Sequence, residues 1–334
     1  MDRRTVERPG GQVIGKTEIE EAREILAGKV HRTPLMRASS LGRLAGVDLY
    51  LKLELFQKTG SFKPRGALNR LANLPAGEKS RGVITVSAGN HAQGLAYAAS
   101  LENLRCAVVM PATAPESKQR AAQHYGAEVI LHEDLLTIFE RARAIQQERG
   151  LVFVHPYDDP FIVAGAGTVG LEMVEDLPEV ASVVVGVGGG GLLAGVAAAA
   201  RFCAAAGARA VAPRVRIVGV EPTGAPTLTR ALEAGKPVRL EKISTIADGL
   251  APPFTGSLNL EMARALVDEI VLVSDEEILE AIRLLLSRCK VLAEPAGAAA
   301  VAAIVTGKVP ALPSPAVAIV SGGNVDLSRL KELL

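Results

Sequence analysis

The chain has 334 residues, 37 Lys and Arg against 36 Asp and Glu, and 49% apolar residues. That length supports a sizeable core and about two domains, and with a near-zero net charge nothing suggests a nucleic-acid or membrane partner. Trp is absent, and the three well-separated cysteines, Cys106, Cys203 and Cys289, fit neither a disulfide framework nor a zinc site, which points to a reducing compartment.

Residues 1–17 mix Pro, Gly and charges without a period and read as an arm. They lack an apolar signal core, so a cytoplasmic protein is expected. Thr17 caps a predicted helix over about 18–27, where Ile19, Ala22, Ile25 and Leu26 recur at helical spacing. His31 to Leu35 reads as turn or extended chain, and 47–55 alternates like a strand. In Lys58-Thr-Gly-Ser-Phe-Lys-Pro-Arg-Gly-Ala-Leu68 a turn leads into a helix. Pro64 suits a first helical position, where its missing N–H would be unpaired anyway, so Lys63 is fixed at a helix entry. After a polar linker at 75–82, short apolar strands at 83–86, 106–110, 128–131 and 152–154 alternate with helices at 90–101, after Pro115 and at 134–148. Beyond Pro160 the pattern resumes: a helix at 165–176, a strand at 182–187, a glycine loop, a helix to about 205 and a strand at 215–220. A strand at 270–273, helices at 275–286 and after Pro295, and a strand at 317–320 complete it. Ala181 to Ala200 is uncharged for a membrane-span length, but six glycines favour strand, loop and buried helix. The expected fold is α/β, two doubly wound lobes with the small one (81–159, mobile) inserted in the large cofactor-binding one (1–80 and 160–334).

Three stretches carry chemistry. Gly188–Gly191 follows an apolar strand and opens a helix. Successive glycines let backbone N–H groups converge on a phosphate, although a tight turn would also use them. Gly186 to Gly191 also matches G-x-G-x-x-G, and Glu221 ends the next strand, so a nicotinamide-dependent oxidoreductase is a rival. The acid lies about thirty residues on, against ~20 in that fingerprint. Ser87-Ala-Gly-Asn-His91 likewise joins a strand to a helix. With Lys63, these segments supply an amine, a polar cradle and a phosphate nest, the parts needed to hold pyridoxal phosphate as a Schiff base.

On these residues the chain resembles the threonine dehydratase/serine racemase group of fold-type II pyridoxal-phosphate enzymes, whose fold is tryptophan-synthase-β-like. The resemblance runs from His31-Arg-Thr-Pro-Leu35 to Ser321-Gly-Gly-Asn-Val-Asp326. It implies that Lys63 is the Schiff-base lysine and the α-proton base. Phe62, Asn90 (at the cofactor's phenolic oxygen), Gly188, Gly189, Gly190, Gly191, Leu192 and Ser321 (at the pyridine nitrogen) would bind cofactor. Ser87, Ala88, Gly89, Asn90 and His91 would bind the substrate carboxylate, and His91 points to the dehydratase branch. A neutral hydroxyl at Ser321 leaves the pyridine nitrogen unprotonated, which favours prompt loss of a β-leaving group. The implied reaction is β-elimination of L-threonine or L-serine to a 2-oxo acid and ammonia, in a homodimer or homotetramer. Eight residues follow Asp326, which leaves no room for a C-terminal regulatory domain, so a catabolic-type enzyme is expected. Ala88 stands where the racemases place a second acid–base serine.

Other signals are weaker. A cation site of some relatives is matched by Glu221 and the Ala225 carbonyl, but Thr227 replaces its second acid, which weakens a divalent site. His31, His124 and His132 read as surface or packing residues, and His155 as structural. Glu294-Pro-Ala-Gly reads equally as an active-site segment or a helix cap. Lys52 and Lys58 are expected to be solvated. Dehydratases or racemases of other β-hydroxy amino acids and a non-catalytic binder remain as alternatives.

Overall fold

The computed structural model describes residues 5–7, 13–134, 137–203, 214–326, 328 and 331. Its first half contains β1 (Thr5–Glu7), β2 (Val13–Gly15), α1 (Lys16–Leu26), β3 (Leu35–Arg37), α2 (Ser39–Ala45), β4 (Leu49–Leu53), α3 (Lys63–Ala72), α4 (Ala76–Lys79), β5 (Val83–Val86), α5 (Asn90–Leu101), β6 (Cys106–Pro111), α6 (Glu116–His124), β7 (Glu128–His132), α7 (Ile138–Arg149) and β8 (Val152–Phe153). The second half contains α8 (Pro160–Asp176), β9 (Ser182–Gly186), α9 (Gly191–Phe202), β10 (Arg216–Pro222), α10 (Thr227–Ala234), α11 (Ser257–Leu266), β11 (Glu269–Val273), α12 (Asp275–Leu284), α13 (Pro295–Val305) and β12 (Ala316–Val320).

The strands form two main sheets. One has the order β11-β10-β9-β12-β4-β3 and is parallel except for β3, which pairs antiparallel with β4. The other, β7-β6-β5-β8, is parallel throughout. Every residue of β9, β12 and β5 is buried, as expected of parallel strands covered on both faces by crossover helices. In such sheets ligands gather beyond the carboxyl ends of the strands. Here β5 runs into Ser87–Gly89, β9 into Val187–Gly190 and β12 into Ser321, so three loops are delivered to one crevice. β1 and β2 pair as an antiparallel ribbon within the segment read as an arm.

Several boundaries differ from the sequence reading for local reasons. α8 starts at Pro160, not 165, because Asp159 caps it: Oδ1 accepts from the N–H of Phe161 at 2.8 Å and of Ile162 at 3.2 Å. α12 opens on a capping box, Ser274 Oγ accepting from the Glu277 N–H and Glu277 Oε2 from the Ser274 N–H. α2, α4, α10 and α11 were not expected; the longest has 10 residues, too short for a clear period. The helix foreseen to about 205 ends at Phe202 within the described residues.

Close helix packing sets the position of Lys63. A Cβ on Gly94 of α5 would lie 2.9 Å from the Lys63 Cβ, and one on Gly165 of α8 would lie 2.4 Å from the Arg65 carbonyl oxygen. Only glycine at both positions lets α3 press between α5 and α8.

Lys52 corrects the sequence reading. It is fully buried, and its Nζ donates to the Thr33 carbonyl at 2.7 Å and to Glu172 Oε2 at 2.6 Å. Arg65, 1% exposed, donates twice to Glu54 and twice to Glu172, and also to Thr168 Oγ1 and the His31 carbonyl. Burial works against the Arg65 charge, but Glu54 and Glu172 outweigh it and hold the guanidinium above its ordinary range. The quartet is formally neutral and joins β4, α3 and α8. Lys58 is exposed, as expected.

Candidate active site

A cavity of about 280 Å³ lies where the two sheets meet, just below the ~300–1,000 Å³ of small-molecule sites. Lys63, Phe62, Ser87, Ala88, Gly89, Asn90, His91, Gly188–Gly191, Leu192 and Ser321 all line it, so the three sequence segments share one wall-to-wall site. Glu221 and Ala225 are not among its lining residues.

Lys63 is the first residue of α3, with Pro64 beside it in the first turn. A short ladder fixes the approach. Ser61 bridges Gly322, the Phe62 N–H donates to the Ser321 carbonyl at 3.1 Å, and the Gly323 N–H donates to the Gly60 carbonyl at 2.9 Å. This ties the turn before Lys63 to the end of β12 and sets Ser321 beside it. Lys63 Nζ donates to the Pro156 carbonyl at 3.0 Å and lies 5.1 Å from the centre of the Phe62 ring. Burial lowers its pKa to about 8, with Glu294 opposing the shift. A lysine so placed is a nucleophilic amine near neutral pH.

The glycine run is built for close approach. A Cβ on Gly189 would stand 2.2 Å from the Tyr157 ring, and one on Gly188 would be 2.9 Å from the Gly249 carbonyl oxygen. Gly190 has φ +93°, and a Cβ there would lie 2.8 Å from Asn259 Cβ. The Gly189 carbonyl is held by Asn259 Nδ2 at 2.7 Å and Thr255 Oγ1 at 3.2 Å. The first N–H groups of α9 have no intrahelical acceptor, and the cavity lies at that helix end, where the partial charge is positive. A helix entry of this kind suits an anion without needing a basic side chain.

On the opposite wall, Ser87 Oγ accepts the Gly89 N–H at 3.1 Å. This pins the loop just before α5, whose first residues Asn90 and His91 line the cavity beside it. The Asn90 carboxamide donates to Glu294 Oε1 at 2.5 Å. Glu294 sits at the N-cap position of α13 but makes no side-chain cap bond. Burial, and then Asp248, push its pKa up to about 7. His91 is buried, with the Val154 backbone beside its ring. Burial, then the neighbouring Lys63 and His155, hold it neutral well below its ordinary range. His155 does take the structural role read from sequence: its Nδ1 accepts from the N–H of Asp158 at 2.9 Å and of Tyr157 at 3.4 Å.

Lys118 of α6 and Asp248 stand at the rim and pair with each other, and Ser117 Oγ donates to Asp326 Oδ2 at 2.7 Å. Sequence reasoning missed both contacts, and it left Glu294 undecided. An acid directly before Pro295 was the only local signal for Glu294.

Glu221 lies elsewhere. Its Oε1 accepts from the Leu228 N–H at 2.6 Å, and Oε2 from the Thr229 N–H at 2.9 Å and the Thr229 hydroxyl at 2.6 Å, so it holds the start of α10. Among the described residues no three His, Cys, Asp or Glu side chains are grouped to hold a metal.

The sequence profile of pyridoxal-phosphate-dependent enzymes matches residues 26–322. The chain belongs to that family. The enzyme is 43% identical over 328 residues to an L-threonine ammonia-lyase of Thermotoga maritima, a match covering 96% of this chain and 78% of the relative. It is 40% identical over 320 residues to the catabolic L-threonine dehydratase of Escherichia coli, covering 95% and 94%. Its structure superposes on maize serine racemase with a TM-score of 0.87 at 37% identity, covering 96% of each chain. It superposes on a threonine deaminase from tomato, Solanum lycopersicum, in its processed form, with a TM-score of 0.84 at 35% identity, covering 98% of this chain and 92% of the other. The fold is therefore the α/β fold of fold-type II pyridoxal-phosphate enzymes. The residues present fit the cofactor: an amine of lowered pKa, a glycine cradle that side chains would obstruct, and a carboxamide and a hydroxyl in the same cavity. No helix among the described residues is long and apolar enough to cross a membrane.

Proposed function

We propose that the enzyme is a catabolic-type L-threonine ammonia-lyase that also takes L-serine. The observation that carries this reading is Lys63, a buried amine of lowered pKa in one cavity with the glycine cradle, Asn90 and Ser321. Names of the similar proteins supply the substrate. The nicotinamide reading is set aside because it leaves Lys63 and the Asn90 loop without a role.

Bound pyridoxal phosphate supplies a carbonyl for amines and a ring that withdraws electrons from the amino acid's α-carbon. The protein's own groups do the rest. The α9 entry and Gly188–Gly191 would hold the phosphate, and Phe62 and Leu192 would line the cofactor's place. Asn90 would serve the ring oxygen, and Ser321 would offer the ring nitrogen an uncharged hydroxyl. N–H groups at the start of α5 hold the substrate carboxylate. Lys63 Nζ, with its pKa lowered to about 8, takes the α-proton.

We assign 81–159 to a small mobile domain and the remainder to the cofactor-binding one. The four-stranded sheet, drawn from 83–153, supports that division. We take the protein to be a cytoplasmic homodimer or homotetramer; the free thiols of Cys106, Cys203 and Cys289 agree with a reducing compartment. Glu221, with both oxygens on α10, gives little ground for a divalent requirement.

Two expected results test the site. Gly190→Val should weaken binding of pyridoxal phosphate to the apo-protein by about tenfold or more. Relieving ~1–3 kcal/mol of positive-φ strain and the Asn259 contact moves the N–H groups off the phosphate, and 1.4 kcal/mol is tenfold in affinity. Fluorescence titration reads it, and unchanged affinity would send the phosphate elsewhere. The second concerns racemisation, which needs an acid–base group on each face of the α-carbon. Ala88 has none, and the Ser87 oxygen is turned to the Gly89 N–H of its own loop. L-serine should therefore give pyruvate with little D-serine. Ala88→Ser should raise the D-serine-to-pyruvate ratio at least about tenfold, part of the ~10²–10⁴-fold of a fully positioned acid–base group. Chiral chromatography beside a pyruvate assay measures both products. D-serine formed as fast as pyruvate by the unmodified enzyme would overturn the lyase reading.

A further inference from the structure

The Asn90 carboxamide is held at both ends. Its Nδ2 donates to Glu294 Oε1 at 2.5 Å, and its Oδ1 accepts from Asn324 Nδ2 at 2.7 Å. Asn324 Nδ2 also donates to the Thr59 carbonyl at 2.7 Å. The direction of this chain is forced by what each group can do. A backbone carbonyl only accepts, so Asn324 turns its nitrogen to Thr59 and to Asn90. That nitrogen only donates, so Asn90 turns its oxygen to Asn324 and its nitrogen to Glu294. Reversing Asn90 would set two amide nitrogens against each other and an oxygen against a carboxylate. One Nδ2 hydrogen is left over, in a residue that lines the cavity.

Glu294 is committed to this arrangement. It is 5% exposed, and its side chain makes no cap bond to α13. A Cβ on Gly322 would lie 2.3 Å from its Oε1, so the carboxyl occupies space that only a glycine neighbour leaves free. A buried carboxyl at a helix entry that bonds a cavity-lining amide, and not the helix, needs a reason beyond capping.

We propose that Glu294 is a positioning residue for the cofactor: through Asn90 it aims one amide hydrogen at the cofactor's ring oxygen. This rests on the cofactor placement given under the proposed function. The charged groups acting on Glu294 or facing it are Asp248, Lys118 of α6 that pairs with Asp248, and Lys63 of α3. With a pKa near 7, the carboxyl is ionised through the upper part of the neutral range. The ionised form accepts the stronger, charge-assisted bond from Asn90.

The test is a double-mutant cycle on affinity of the apo-protein for pyridoxal phosphate, read by fluorescence and by the visible band, independent of turnover. Asn90→Ala and Glu294→Ala should each weaken binding by about tenfold or more, as for hydrogen bonds to a charged group worth ~1.5–3 kcal/mol. Both should displace the visible band in the same direction, and the double variant should bind no worse than Asn90→Ala alone. Glu294→Gln, which keeps an acceptor and the side chain's volume, should bind within about threefold of wild type, since its neutral bond is only about half as strong. It should also lose the rise in affinity that wild type shows as pH passes through 7. Losses that multiply in the double variant, an Asn90→Ala protein that binds as wild type, or a Glu294→Gln protein with the wild-type pH response would each overturn the proposal. Failure of wild-type apo-protein to develop a Lys63-dependent visible band would instead overturn the proposed function itself.

Discussion

Lys63→Ala is expected to lower ammonia release from L-threonine by at least ~10³-fold, since a positioned proton-transfer group contributes ~10²–10⁴-fold and the variant loses the cofactor's covalent anchor as well. Binding should survive in part, because the glycine cradle and α9 entry do not involve the Lys63 side chain. A parallel titration should show pyridoxal phosphate retained without the visible band of the lysine-linked form. The lowered pKa adds a pH signature to the wild type. With a value of about 8, about a quarter of Lys63 is neutral at pH 7.5, against about one in a thousand for an ordinary lysine. The rate of linkage to the cofactor should therefore rise with pH and level off just above 8. Wild-type ammonia release from the Lys63→Ala protein would remove Lys63 from the chemistry.

Arg65→Met should be the most damaging core substitution. It takes away the partner of two buried carboxylates and leaves Lys52 alone against Glu54 and Glu172. Breaking one partner out of a buried ionic cluster costs about 3–5 kcal/mol, a large share of the ~5–15 kcal/mol of a typical domain. Urea unfolding followed by far-UV circular dichroism should show a markedly lower midpoint. The loss should exceed that of Lys58→Met, whose side chain is solvated. An unchanged midpoint would mean that the quartet contributes nothing net. Arg65 is two residues beyond Lys63 on α3, so weaker cofactor binding should accompany the loss.

The strands and helices of the parallel units were legible because apolar runs bounded by Gly and Pro give strong local signals. β5 and α5 fall where the residues place them. Lys63, Asn90, the glycine run and Ser321 were read as one site, and they do line one cavity, since each ends a strand or opens a helix. What escaped depends on residues remote in sequence. Lys52 looks solvated until Glu172, 120 positions away, is brought to 2.6 Å. Glu294 is ambiguous because its partner Asn90 lies 204 residues earlier. α8 was placed late although Asp159-Pro160 is a cap and first-turn pair, because the same dipeptide also ends a strand-to-turn segment. Thr227 marks the start of α10 only through Glu221, whose carboxylate supplies acceptors to the N–H groups of Leu228 and Thr229.

The rim contacts of α6 have a mechanical consequence. Ser117 and Lys118 are consecutive, and each reaches across to a residue that belongs with the six-stranded sheet, Asp326 and Asp248. Because the two residues are neighbours on one helix, a small roll of that helix would disturb both contacts together. The Lys118–Asp248 pair is partly solvated, and such pairs hold with only ~0–1 kcal/mol, comparable to thermal energy. The doorway is thus fastened loosely. Salt should loosen it further, and the traffic of amino acid in and ammonia out need not wait on a costly rearrangement of either sheet.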